Sequence, residues 1–250
     1  MIENKNVEFE ERWEVSSGAA TIIPMNREWR AIGIQVSGGL DSAILLFLTV
    51  KTIQKHNLST KIVPISLEIH NKAKNLGSAR AVLDTVKRLT GFTNWGETVE
   101  AVGGEHEWKG QGKEDFFTRV ISKLFIEEKI DFDLNGITRN PPLEVCKDFK
   151  FNSYRELGRD NPSTIYNGPT NASPHAFMTK KDIVELYIKH GVLDELASCT
   201  LSCDENLDVI TRNDWNIPCG ICWWCAERKW GFRSNNIIYE KYSPKNAYSK

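Results

Sequence analysis

The chain has 250 residues, 32 Lys and Arg against 33 Asp and Glu, and a formal net charge of −1. So even a balance argues against a broad electrostatic grip on nucleic acid, and no stretch approaches the roughly 18 apolar residues of a membrane span. The acidic start, MIENKNVEFEERWEV, has no apolar signal-like core, which predicts a cytoplasmic protein whose six cysteines serve as ligands or free thiols rather than disulfides.

Residues 1–30 alternate weakly (VEFEERWEV, ATIIPM) and predict a hairpin. AIGIQV, 31–36, is a short apolar run of the kind buried on both faces in a parallel sheet. SAILLFLTVKTIQKH predicts a buried helix, and KIVPISLEI, 61–69, a second strand. NLGSARAVLDTVKRLTG has helical spacing and closes on Gly91. The glycine-rich segment 101–116 predicts a loop, read as a surface loop or, alternatively, a lid. FFTRVISKLFIEEKI predicts an amphipathic helix and FDLNGI, 132–137, a third strand. Residues 141–172 carry no clear pattern. TKKDIVELYIKHG, 179–191, predicts a helix with Thr179 as N-cap, Asp182 as the capping-box acid and Gly191 at its end. The basic-leaning stretch 227–250 reads as a solvated tail. Strands alternating with helices predict an α/β domain with a parallel sheet.

The stretch QVSGGLDSAILLF, 35–47, joins the first buried strand to the first long helix through a glycine pair. Backbone N–H groups of such a turn converge on one point, and the helix start adds unpaired donors and partial positive charge. Gly38 and Gly39 can take up positive φ and leave room for an oxyanion. Ser37 and Ser42 offer hydroxyls, and Asp41 can cap the helix or face a metal. The lysine of a G-x-x-x-x-G-K-[ST] loop is missing, as is G-x-G-x-x-G.

The second signal is cysteine spacing. Cys219, Cys222 and Cys225 form C-x₂-C-x₂-C, with Cys203 upstream. Four thiolates suit tetrahedral structural Zn²⁺, and Cys199 is an alternative fourth ligand. Trp223 and Trp224 read as packing residues. The histidines at 56, 70, 106, 175 and 190 form no constellation and are predicted to be structural or exposed, with His70 the best placed to line a site.

Ser37-Gly38-Gly39-Leu40-Asp41-Ser42 resembles the S-G-G-x-D-S loop of the N-type ATP pyrophosphatases (PP-loop enzymes), which split ATP between its α and β phosphates and adenylate an oxygen of the substrate. Ser202-Cys203, Cys219-Gly220-Ile221-Cys222, Cys225 and Arg228 are similar to the final zinc motif of one branch, the 7-cyano-7-deazaguanine synthases of the queuosine pathway. SPHAFMTKKDIVEL is similar to that branch's P-L-x-x-L-T-K-x-x-I-V segment, and LNGITRN to its third-strand I-G-V-N.

The resemblance implies a Rossmann-like PP-loop domain over 1–198 and a zinc module over 199–250. It implies ATP contacts at residues 37–42, Leu67 and Lys180, catalytic roles for Ser37, Asp41, Ser42 and Lys180, and ATP with Mg²⁺ plus one Zn²⁺ as cofactors. Lys180 taken by itself reads equally as a first-turn surface lysine. The implied substrates are a 7-carboxy-7-deazaguanine and ammonia, and the implied state is a homodimer. Two family motifs are not recognisable: Tyr-Gly-Gln after the second strand, where this chain has SLEIHNK, and Y-P-D-C-R, within 141–172. Both belong where the base would sit. That motivates a divergent enzyme passing the activated carboxylate to another amine, as in nucleic-acid modification or antiphage defence. A tRNA thiolase and a non-catalytic zinc interaction module are further readings.

Overall fold

The computed structural model describes residues 6–69, 74–104, 112–146, 162–203 and 222–239. It opens with the expected hairpin, in which β1 (Phe9–Glu14) pairs antiparallel with β2 (Ala20–Met25). Then follow β3 (Ala31–Gln35), α1 (Leu40–Lys55), β4 (Lys61–Ile69), α2 (Lys74–Thr90), β5 (Val99–Gly103) and α3 (Gly112–Ile126). The second half holds β6 (Phe132–Leu134), α4 (Leu143–Cys146), β7 (Asn171–Ala172), α5 (Lys180–Lys189), α6 (Leu193–Leu196) and α7 (Trp223–Arg233).

The protein is an α/β fold around a five-stranded sheet of order β5-β4-β3-β6-β7, parallel at every pairing. Period-2 alternation splits the central strands between two cores. Ile32, Ile34, Ile62, Phe132 and Leu134 face the main core with α1, α2 and α5. Ala31, Val63, Ile65 and Leu67 face the opposite side, where Phe116 and Leu124 of α3 cover them. Helix α1 is apolar almost all round because the sheet, α2, α5 and the hairpin enclose it. Its Thr49 and Thr52 hydroxyls donate to Leu45 O and Leu48 O, each at 2.9 Å, so burial leaves neither unsatisfied.

Several boundaries differ from expectation. The third strand ends at Leu134, since the Asn135 side chain accepts from Ile137 N at 3.2 Å and turns the chain. The segment 101–116 is not all loop: β5 extends to Gly103 on the ladder with β4, and α3 starts at Gly112. Helix α3 lies upstream of its predicted 116–130, because Glu128 adopts φ 52° after its last turn and Ile130 packs with the sheet. The tail reading is overturned for 227–239: Glu227, Arg228, Phe232 and Tyr239 are buried, the last two in the main core. Helix α5 has both halves of the predicted capping box, and Gly91 (φ 61°) and Gly191 (φ 65°) follow α2 and α5 in the left-handed region. His70, His106, Cys219 and residues 105–111 of the predicted lid lie outside the described residues.

Candidate functional site

From β3 the chain moves outward through β4 and β5, then returns past β3 to β6 on the other side. Strand order therefore reverses between β3 and β6, and the crevice at their carboxyl ends is where open α/β sheets receive ligands. The 37–42 turn leaves β3 there, and Asn135-Gly136 leaves β6 beside it.

Gly38 adopts φ 77°, a conformation that disfavours a side chain. Gly39 does not share it: with φ −81° and ψ 168° it is the extended N-cap of α1. Here the lack of a side chain matters sterically, because a Cβ would come within 3.3 Å of Ser37 Oγ. A Cβ on Gly136 would lie 3.0 Å from Ser42 N and 3.3 Å from the Asp41 carbonyl carbon, so β6 can press against the turn only with glycine there.

Three serines hold the turn's donors. Ser37 N donates to Ser42 Oγ at 3.2 Å, Gly39 N to Ser37 Oγ at 3.3 Å and Leu40 N to Ser202 Oγ at 3.3 Å. These are long, neutral bonds, and an anionic oxygen makes shorter and stronger ones with the same amides. The frame behind them is tighter. Leu201 N donates to Gly38 O at 2.9 Å, and the buried Tyr187 hydroxyl donates to Leu40 O at 2.6 Å. His175, fully buried, has Nε2 3.2 Å from Asp41 O and Nδ1 2.8 Å from Thr21 Oγ1. A carbonyl only accepts, so the proton sits on Nε2 and Nδ1 accepts from the threonine. Burial, opposed by the Asp41 charge, lowers the His175 pKa to about 4, so the ring is neutral.

Lys180 is no surface lysine. Its side chain is buried, its Nζ pairs with Asp41 Oδ2, and Glu227 Oε2 of α7 stands 3.8 Å away. The other Asp41 oxygen, Oδ1, is buried without a hydrogen-bond partner among the described residues. Such an orphaned carboxylate oxygen beside a nest of amides fits a hard divalent cation such as Mg²⁺. Leu67 is buried in the α3-side core. Strand β4 continues past its last β3 pair, Gln35↔Ile65, so the main chain at Leu67 overhangs the end of β3.

The thiols of Cys203, Cys222 and Cys225 are buried and lie within 4.8 Å of one another. Tetrahedral bonding to one ion at about 2.3 Å places sulfurs roughly 3.8 Å apart, so the group suits a single metal ion. Cys199 is outside that group, and its Sγ donates to Leu196 O at 3.1 Å. Trp223 is buried and Trp224 packs on the cysteines, as packing residues do. Arg228 links this module to the turn, donating to Thr200 Oγ1 at 2.7 Å, Ala197 O at 3.0 Å and Ser202 Oγ at 3.4 Å.

The structure brings together Ser37–Ser42, Gly136, Lys180, Ser202 and Arg228, and adds His175, Tyr187 and Glu227, which sequence reasoning did not place. Tyr187 had a usable signal, seven residues from Lys180 on one helix face; His175 and Glu227 had none.

The chain matches no protein-family model and no curated protein sequence. Among solved structures it is similar to the U34-tRNA thiolase NcsA from Methanococcus maripaludis with its [4Fe-4S] cluster. That likeness has 13% identity and a TM-score of 0.39, over 88% of this chain and 68% of that one. A likeness so distant assigns no activity. Among the described residues, no helix is long and apolar enough to cross a membrane.

Proposed function

We propose that the chain is an N-type ATP pyrophosphatase that adenylates the carboxylate of a 7-carboxy-7-deazaguanine and, with ammonia, converts it to the amide and then the nitrile. The observation that carries the ATP reading is the Ser37–Ser42 turn at the sheet's switch point, its amides held only by long serine bonds and Lys180 buried beside it. The carboxylate attacks the α phosphorus, and pyrophosphate departs into the turn. Ammonia displaces AMP to give the amide. Adenylation of the amide oxygen, then loss of AMP and a proton, gives the nitrile. Residues 37–42 and Lys180 would bind the phosphates, and the Leu67 main chain is suited to meet the adenine. This is catalysis by positioning and charge neutralisation.

Mg²⁺ would supply charge neutralisation facing Asp41. Zn²⁺ would be held by Cys203, Cys222 and Cys225, with Cys219 as the fourth ligand, in a module over 199–250 packed on the PP-loop domain of 1–198. The protein would act as a cytoplasmic homodimer without a nucleic-acid partner. A second reading is favoured by the missing base-pocket motifs: the same activated carboxylate passes to a different amine.

The test is pyrophosphate release from ATP, Mg²⁺, ammonia and the carboxy-deazaguanine, with mass spectrometry of the products. Amide and nitrile support the first reading, and a conjugate formed only with an added amine supports the second. No pyrophosphate with either acceptor overturns both. A brown protein with a bound iron–sulfur cluster would favour a thiolase, although a cubane spreads its cysteines over separate irons and so farther apart than on one ion.

A further inference from the structure

Helix α7 does more than carry two of the clustered cysteines. Gly231 lets it cross the start of α5 at closest range: a Cβ there would meet Lys180 O at 2.7 Å and Lys180 Cγ at 2.9 Å. Glu227 lies one turn earlier on the same face, and this crossing places its carboxylate 3.8 Å from Lys180 Nζ. Glu227 is fully buried, and Lys180 nearly so. One ammonium therefore faces two carboxylates, Asp41 on α1 and Glu227 on α7. The Asp41 oxygen left without a partner among the described residues is where a cation would attach.

We propose that Glu227 is a positioning residue for nucleotide binding, holding Lys180 in place while Asp41 turns from the lysine to the divalent cation that accompanies ATP. Asp41 exchanges one positive partner for another, and Lys180 keeps a counter-charge throughout. Glu227 also supplies the negative potential that makes the site prefer metal-bound nucleotide, which carries about two fewer negative charges than free ATP. The inference rests on the ATP reading above.

Calorimetric titration of the purified full chain with α,β-methylene ATP, in buffer with Mg²⁺ and in magnesium-free buffer, tests it. The wild type binds more tightly with Mg²⁺. Glu227→Gln narrows the ratio of the two affinities by about tenfold, the scale of one unit charge acting across such a cluster, and strengthens metal-free binding. Glu227→Asp, which keeps the charge, restores most of the ratio. A purely structural defect would weaken both affinities alike; that result, or an unchanged ratio, overturns the proposal. A wild type that binds the analogue in neither buffer overturns the ATP reading and this inference with it. Should Glu227→Gln fail to fold, Asp41→Asn carries the test through its urea midpoint. That midpoint stays near the wild-type value if Glu227 alone neutralises Lys180, and a collapse overturns the proposal.

Discussion

Lys180 pairs with Asp41 across 139 residues of sequence, the ammonium in the first turn of α5 and the carboxylate in the first turn of α1. Both helix starts point into one crevice, so the pair couples the phosphate-binding turn to the second half of the chain.

Removing either partner has different consequences. Lys180→Met removes the ammonium that stands between Asp41 and the buried Glu227, and breaking a buried pair of this kind costs about 3–5 kcal/mol. Asp41→Ala leaves Lys180 with Glu227, so the fold persists while pyrophosphate release falls by about a hundredfold or more. Urea denaturation beside a pyrophosphate assay separates the two, and full turnover in Asp41→Ala would refute the site.

Gly136→Ala acts on the turn from behind. The new methyl would stand 3.0 Å from Ser42 N, and rigid backbone must yield to it. Overpacking of this size costs about 1–3 kcal/mol. The expected result is a modest loss of melting temperature with a much larger loss of nucleotide affinity. Equal affinity in the variant and the wild type would show that β6 does not shape the turn.

Cys222→Ser is expected to lower bound zinc and melting temperature together, because metal binding to such a set is folding free energy. Loss of one ligand should lower the melting temperature by at least about 5 °C. Cys199→Ser should leave metal content unchanged, as its thiol is turned to Leu196 O. Elemental analysis of both variants decides the ligand set.

Two buried groups oppose each other in pH. His175 has its pKa lowered from 6.5 to about 4 by burial, so between those values the unfolded chain binds the extra proton and stability falls as pH falls. Asp133 is raised from 3.8 to about 7, again by burial, against Gln35 and Asn171 donating to its Oδ2 at 2.6 and 2.5 Å. Over that window the folded chain binds the extra proton, and stability falls as pH rises. The two slopes largely cancel between pH 4 and 6.5. Asp133→Asn removes one of them, so its stability relative to wild type should grow from pH 4 to 7 by on the order of 4 kcal/mol. Melting curves across that range check it, and parallel curves would refute the Asp133 shift.

Much of this architecture was written locally. Apolar runs such as AIGIQ and KIVPISLEI, the caps at Thr179 and Gly191 and the glycine turn after β3 depend on neighbouring residues, and periodicity and backbone preference express them directly. The cysteine spacing was equally legible. Tertiary structure alone decided that Lys180 is buried, that Glu227 and Arg228 belong to the site rather than to a solvated tail, and that Cys199 stands apart from the cysteine group. It also placed His175 and Gly136 behind the turn. The physical reason is range: a lysine in a first helical turn looks the same whether it meets water or an aspartate 139 residues away. Only the packing of α5 against the start of α1, with α7 crossing α5, determines which it meets.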